Sequence, residues 1–227
     1  MEFIKAGKTK DVYKLPNGNI CLKFKDTVTG TAGSQDPGGN EVVGEVKGVG
    51  SNALKVTSYY FELLKEKGVA THYVSSDVSN NEMVVKPAVM FGKGLECVMR
   101  YVATGSFIRR FGDFIKEGKK LNGLFEMTLK DDSKNDPPVT KEVLAALKIL
   151  TYKQYNEIVR ETKKICRIVK DDLAQKGLKL YDIKIEFGLV DGKIVLIDEI
   201  SGGNMRVYKG KKKLEYMQIA DFVFDKN

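Results

Sequence analysis

The chain has 227 residues, 42% of them apolar, and a formal net charge of +8 from 38 Lys and Arg against 30 Asp and Glu. That length is enough for a sizeable core and lies between one large domain and two small ones. The basic residues are scattered apart from Lys209 and Lys211 to Lys213, and Trp is absent, which argues against nucleic acid and for small anionic partners.

Three cysteines (Cys21, Cys97, Cys166) without CxxC spacing argue against a disulfide framework or a zinc site and read as a reducing, cytoplasmic compartment. The opening MEFIKAGKTK lacks the apolar stretch of a signal peptide. No window approaches the roughly 20 apolar residues of a membrane span, so no membrane partner is expected.

Taken in chain order, Asp11 to Lys14 and Asn19 to Lys25 are β-rich runs around the hairpin turn PNGN. From Gly30 to Gly50 the chain is glycine-rich without periodicity and reads as a long lid or binding loop. A helix is expected over 52–67, closed by Gly68. A strand pair, Thr71 to Ser75 and Glu82 to Lys86, leads to a hinge at Pro87. Glu96 to Ala103 is a further strand, GSFIRRFGDF enters a short helix, and LKDDSKNDPP is an acidic loop. Lys141 to Lys148 and Thr151 to Lys176 are helices, the second carrying a buried stripe from Tyr155 to Leu173. A β-hairpin over 182–199 and a short tail complete the chain. Strands come first, then mixed elements, without βαβ alternation, so the fold class is α+β.

The candidate chemistry lies in few places. GVGSNA (48–53) has the form of a dinucleotide loop but lacks the strand before it, and there is no Walker A pattern. GKTKDVYKL (7–15) places a glycine and lysines ahead of a hairpin, where amides and ammonium groups can close on phosphates; a basic exposed hairpin is the plainer explanation. RYVATGSFIRR offers arginine forks, hydroxyls and an approachable backbone to a phosphate, or simply a solvated helix start. His72, the sole histidine, reads as structural. In DIKIEFGLVDGKIVLIDE (182–199) the first strand carries Asp182, Lys184 and Glu186 on one face, while the second offers no polar alternation to match. The plain reading is a half-exposed strand with a solvated face; the missing polar alternation in its neighbour favours a covered face instead. A Mg²⁺–nucleotide site explains it, because Mg²⁺ takes carboxylate and phosphate oxygens.

GKTKDVY (7–13), ECVMRYVATGSFIRR (96–110), LKDDSKNDP (129–137) and YDIKIEFGLVDGKIVLIDEIS (181–201) together resemble the SAICAR synthetase family in order and spacing over nearly the whole chain. The resemblance implies an ATP-dependent ligase joining L-aspartate to 5-amino-1-(5-phosphoribosyl)imidazole-4-carboxylate (CAIR). It implies a two-lobed α+β fold with a kinase-like β-rich N-terminal lobe (1–86), a mixed C-terminal lobe (87–227), ATP in the cleft, and a homodimer. By the same resemblance Lys8, Thr9, Lys10, Val12, Lys86 and Glu186 bind the nucleotide, and Asp198 with Glu186 holds Mg²⁺. Arg100, Ser106 and Arg206 take the ribotide phosphate and carboxylate, and Lys184 and Asp136 lie beside the reacting groups. Gly202 and Gly203 stand where the family pattern has Pro-Asp, and Val207-Tyr208-Lys209 departs from its Trp-Asp.

A carboxylate must be activated before an amine can displace a leaving group, and phosphoryl transfer asks mainly for positioning and charge neutralisation. That fits a chain rich in Lys and Arg with no nucleophile triad. A paralogous amide ligase on another acid or amine, and a non-catalytic nucleotide-binding module, are the competing readings. If Glu186 and Asp198 share a metal, the period of 2 along strands requires them to face each other across the hairpin, which predicts a loop of odd length with a bulge at Gly192.

Overall fold

The protein is described here by a computed structural model covering residues 1–134 and 136–224. Strands β1 (Glu2–Ala6), β2 (Lys10–Lys14) and β3 (Ile20–Phe24) form an antiparallel meander. Gly18, at φ 85°, turns the chain between β2 and β3 as PNGN predicts. The next stretch is not the irregular loop expected from its composition. Strands β4 (Thr27–Thr31), β5 (Ser34–Gln35) and β6 (Glu41–Glu45) make a separate three-stranded sheet. Its glycines hide the period-2 signal because they carry no side chain to alternate. They also allow close packing: a Cβ on Gly39 would sit 2.2 Å from the Gly30 carbonyl oxygen.

Helix α1 (Val49–Glu66) begins three residues before the expected start. The Asp26 carboxylate accepts from the amides of Gly48 (2.9 Å) and Gly50 (3.0 Å), a cap supplied from a distant loop that no local pattern reveals. Gly68 closes the helix at φ 67°. Strands β7 (Tyr73–Asp77) and β8 (Glu82–Val85) complete the first sheet in the order β1-β2-β3-β8-β7.

The remaining chain gives β9 (Val89–Met90), β10 (Leu95–Val102), α2 (Ser106–Phe111), β11 (Lys120–Leu129), a 3-10 turn (Asp132–Lys134), α3 (Lys141–Ala146) and α4 (Tyr152–Gln175). It closes with β12 (Lys179–Val190), β13 (Lys193–Ile197), β14 (Met205–Lys209), β15 (Lys212–Lys213) and α5 (Tyr216–Phe224). The supposed tail is therefore two strands and a helix. In α4, Thr151 and Gln154 form a capping box, and Ile158, Thr162, Ile165, Val169 and Leu173 are buried as the stripe predicts.

Strand β12 is the axis of the second, seven-stranded sheet. One edge pairs with β10, and the other is divided between β14, opposite 179–183, and β13, opposite 186–190. Residues 198–204 fill the break, where the Lys184 amide donates to the Asn204 carbonyl (2.8 Å). The sheets are stitched together: His72 N donates to Leu196 O (3.0 Å), Leu196 N to Ala70 O (3.1 Å) and Thr57 Oγ1 to Ile200 O (3.2 Å). A single apolar cluster runs through both lobes, from Met83 and Phe61 to Ile183 and Ile165. Cys21, Cys97 and Cys166 are free and buried.

Candidate active site

A cavity of about 600 Å³ opens between the sheets. The β1–β2 turn forms its roof. Gly7 donates to the Lys10 carbonyl (2.9 Å), and a Cβ there would lie 2.5 Å from that oxygen, so the turn is closed to larger residues. Lys8, Thr9, Lys10 and Val12 all line the cavity, as expected of a phosphate-facing turn.

The floor is the charged face of β12. The register sets Glu96 opposite Glu186, Val98 opposite Lys184 and Arg100 opposite Asp182. Two directly opposed carboxylates would repel, and cations separate them. Lys184 Nζ lies 2.6 Å from Glu96, and Lys130 Nζ 2.7 Å from Glu186. Lys10 reaches down from β2 to Asp198 (3.0 Å) and Glu199 (2.8 Å), with its ammonium over the Phe24 ring. Burial works against the charge on Lys184, but Glu96 and Glu186 hold its pKa well above the ordinary lysine value. Lys10 is likewise held up against burial by Asp198 and Glu199. Burial and the neighbouring Asp198 raise the Glu186 pKa, whereas Lys10, Lys130 and Lys184 overrule burial and hold Asp198 below the usual carboxylate range.

The expected hairpin register is wrong. Glu186 pairs with Ile197 and Val190 with Lys193, across a two-residue loop. Asp191 and Gly192 have φ of 51° and 75°, the double-positive signature of a type I′ turn. The two carboxylates nevertheless line the same cavity. Strand β13 ends at Ile197, and Asp198 adopts a left-handed φ of 65°, so strand alternation no longer sets its direction. Asp tolerates that conformation better than most residues.

Other expected residues lie elsewhere. Lys86 is exposed, does not line the cavity, and donates its amide to the His72 carbonyl (2.7 Å). Asp136 is also off the cavity. Its oxygens accept from Asn40 Nδ2 (2.5 Å) and the Asp131 amide (2.7 Å), so it pins two loops. Arg100, Ser106 and Arg206 form a separate cluster at the far end of the β12 face. Arg100 donates to Glu126, Asp182 (3.0 Å) and Ser106 (2.9 Å), and Arg206 donates to Asp182 (2.7 Å). A Cβ on Gly105 would lie 2.5 Å from the Arg206 guanidinium, so that glycine makes room for it.

Sequence reasoning missed Glu96, Lys130, Glu199 and Asp36 as members of this network. Glu96 could have been found, since Glu96, Val98 and Arg100 share a strand face. Lys130 and Asp36 sit in loops, where no periodicity marks them. Gly202 also finds its reason: a Cβ there would lie 2.8 Å from the Tyr216 Cα, so α5 occupies the space a proline ring would need.

Among the described residues no three His, Cys, Asp or Glu side chains gather into a metal cage. Glu186 and Asp198 offer two hard oxygen donors whose mutual repulsion a divalent cation would relieve. The rest of its shell would come from phosphate oxygens and water, the habit of Mg²⁺. The residues present fit such an ion.

Two lobes, a glycine turn with lysines over the cleft and paired carboxylates on its floor are the arrangement of a nucleotide-dependent enzyme. The SAICAR synthetase family profile matches residues 3–227, and the chain belongs to that family. A phosphoribosylaminoimidazole-succinocarboxamide synthase of Clostridium tetani is 50% identical over 227 residues, covering 99% of this chain and all of that protein. A solved SAICAR synthetase (type 2) in complex with ADP superposes with a TM-score of 0.86 at 28% identity, covering 98% of this chain and 97% of its own. The corresponding synthase from Ehrlichia chaffeensis gives a TM-score of 0.87 at 25% identity, covering 98% of each chain.

Proposed function

We propose that the chain is a phosphoribosylaminoimidazole-succinocarboxamide synthase, using ATP to join L-aspartate to the CAIR carboxylate in purine biosynthesis. The observation that carries this reading is the convergence of Lys10, Lys130 and Lys184 on Glu186 and Asp198 beneath the glycine turn. In the reaction the CAIR carboxylate takes the γ-phosphoryl group, giving an acyl phosphate and ADP. The aspartate amine then displaces phosphate and loses a proton.

Lys8, Thr9, Lys10 and Val12 enclose the nucleotide from above. Lys130 and Lys184 neutralise charge developing on the transferred group, and as preformed cations they need little rearrangement to do so. Glu186 and Asp198 would hold Mg²⁺, which would supply charge neutralisation to phosphate oxygens. Arg100 and Arg206 build the anion pocket with Ser106. The solved relative carrying ADP supports nucleotide use, and the bonds of Asp136 to Asn40 and the Asp131 amide support reading it as a residue that pins two loops at the cavity's edge.

The lysines and carboxylates lining the cavity suit small anionic substrates. No helix among the described residues is long and apolar enough to cross a membrane. We place the enzyme in the cytoplasm as a homodimer, on its free buried cysteines and its family. The test is ADP release with CAIR, L-aspartate and Mg²⁺. Turnover must require both substrates, and release that ignores either one defeats the assignment.

A further inference from the structure

Arg206 is spoken for on every side. Nη1 donates to Asp182 (2.7 Å), Nε and Nη2 donate to one oxygen of Asp36 (3.2 and 2.6 Å), and Nη2 also reaches the Pro37 carbonyl (3.1 Å). Arg109 adds a second contact to Asp36 (3.0 Å) from outside. Burial alone would raise the Asp36 pKa, but Arg206 and Arg109 hold it below its ordinary value, so it is charged at neutral pH. Of the acids on the two buried arginines, Glu126 and Asp182 belong to strands of the central sheet, whereas Asp36 lies on the loop after β5.

That loop crosses from the small sheet to the second lobe and is fastened twice more. The Gly38 amide donates to the Gly203 carbonyl (2.8 Å), and Asn40 donates to Asp136 (2.5 Å). At the first of those points a Cβ added to Gly38 would lie 4.0 Å from the Lys184 side chain. A loop carboxylate thus occupies the guanidinium that an anionic substrate group needs.

We propose that Asp36 is a displaceable stand-in for the anionic group of the ribotide, and that residues 36–40 form a latch which the substrate opens by taking Arg206. The proposal rests on reading Arg206 as a substrate-binding residue. A ligand that must first displace an intramolecular competitor binds with an affinity reduced by the fraction of molecules in which the site is free. The Asp36 contacts are the only ion pairs of the latch among the described residues; its other end is held by neutral donors, the Gly38 amide on the Gly203 carbonyl and the Asn40 amide on Asp136.

The test measures KM for the ribotide at saturating ATP and aspartate, with its binding followed in parallel by calorimetry. Arg206→Lys should raise KM for the ribotide and leave KM for ATP unchanged. If it does not, Arg206 is not a substrate residue, and the underlying reading fails rather than the latch alone. With that established, Asp36→Asn should lower both KM and Kd for the ribotide about three- to tenfold, because an amide competes poorly for a guanidinium. Unchanged values overturn the latch. Raised values also overturn it and make Asp36 a residue that positions Arg206. Should Asp36→Asn fail to fold, Arg109→Gln removes the outer contact from an exposed position and should shift KM in the same direction by a smaller factor; an unchanged KM there overturns the proposal equally.

Discussion

Replacing Asp198 by Asn removes a hard anionic donor but keeps the shape, and Lys10 retains Glu199 as a partner. Fold and melting point should survive while kcat falls by about a hundredfold and the Mg²⁺ requirement rises. A Mg²⁺ titration of the rate, set beside a thermal melt, checks both. Arg100 behaves differently, because its three donor groups already satisfy Glu126, Asp182 and Ser106 in a buried setting. A single ammonium cannot serve all three. Arg100→Lys should therefore cost about 3 kcal/mol of stability as well as raising KM for the ribotide, which denaturant unfolding would measure. His72 offers a pH readout. Burial pushes its pKa down to about 4, below the ordinary value near 6.5, so over that interval the unfolded chain binds the extra proton. Stability should fall by about 3 kcal/mol as pH drops from 6.5 to 4 through this group alone. Urea unfolding at pH 7 and pH 4 should show that loss reduced in His72→Asn.

At the scale of elements, legibility followed side-chain periodicity. Strand β12 and helix α4 were readable because Asp182, Lys184 and Glu186, and the stripe Ile158 to Leu173, carry their periods openly. The sheet β4–β6 was not, because its glycines leave nothing to alternate, and the start of α1 depends on Asp26 more than twenty residues away. The register of β12 and β13 failed for a different reason. Period 2 was carried one residue too far, onto Asp198, where the strand has ended and φ is positive. Both acids were found; the geometry that unites them was not. Gly192→Ala tests the turn that sets this register. With φ at 75° and no atom within 4 Å of a new Cβ, the cost is conformational alone, about 1 kcal/mol. A lower melting point with an unchanged KM for ATP is expected.

At the scale of the molecule, the division at residue 86 separates sheets but not cores. The first sheet draws its strands from residues 2–85 and the second from 89–213, yet one apolar cluster spans both, and α5 returns from the end of the chain to pack on α1. Neither lobe owns a complete interior. Far-ultraviolet circular dichroism and tyrosine fluorescence should report one coincident unfolding transition, and a fragment of residues 1–86 should not fold alone. The cysteines turn that shared interior into a clock. Burial raises the pKa of all three thiols, and a thiol protonated and shut away does not react with alkylating reagents. Cys21 sits in the first sheet, Cys97 in the second and Cys166 on α4 between core contacts. Their rates of modification in the native protein therefore time the opening of three separate regions. If the lobes open together, the three rates coincide; a faster Cys21 would reveal the first sheet parting from the rest while the enzyme still counts as folded.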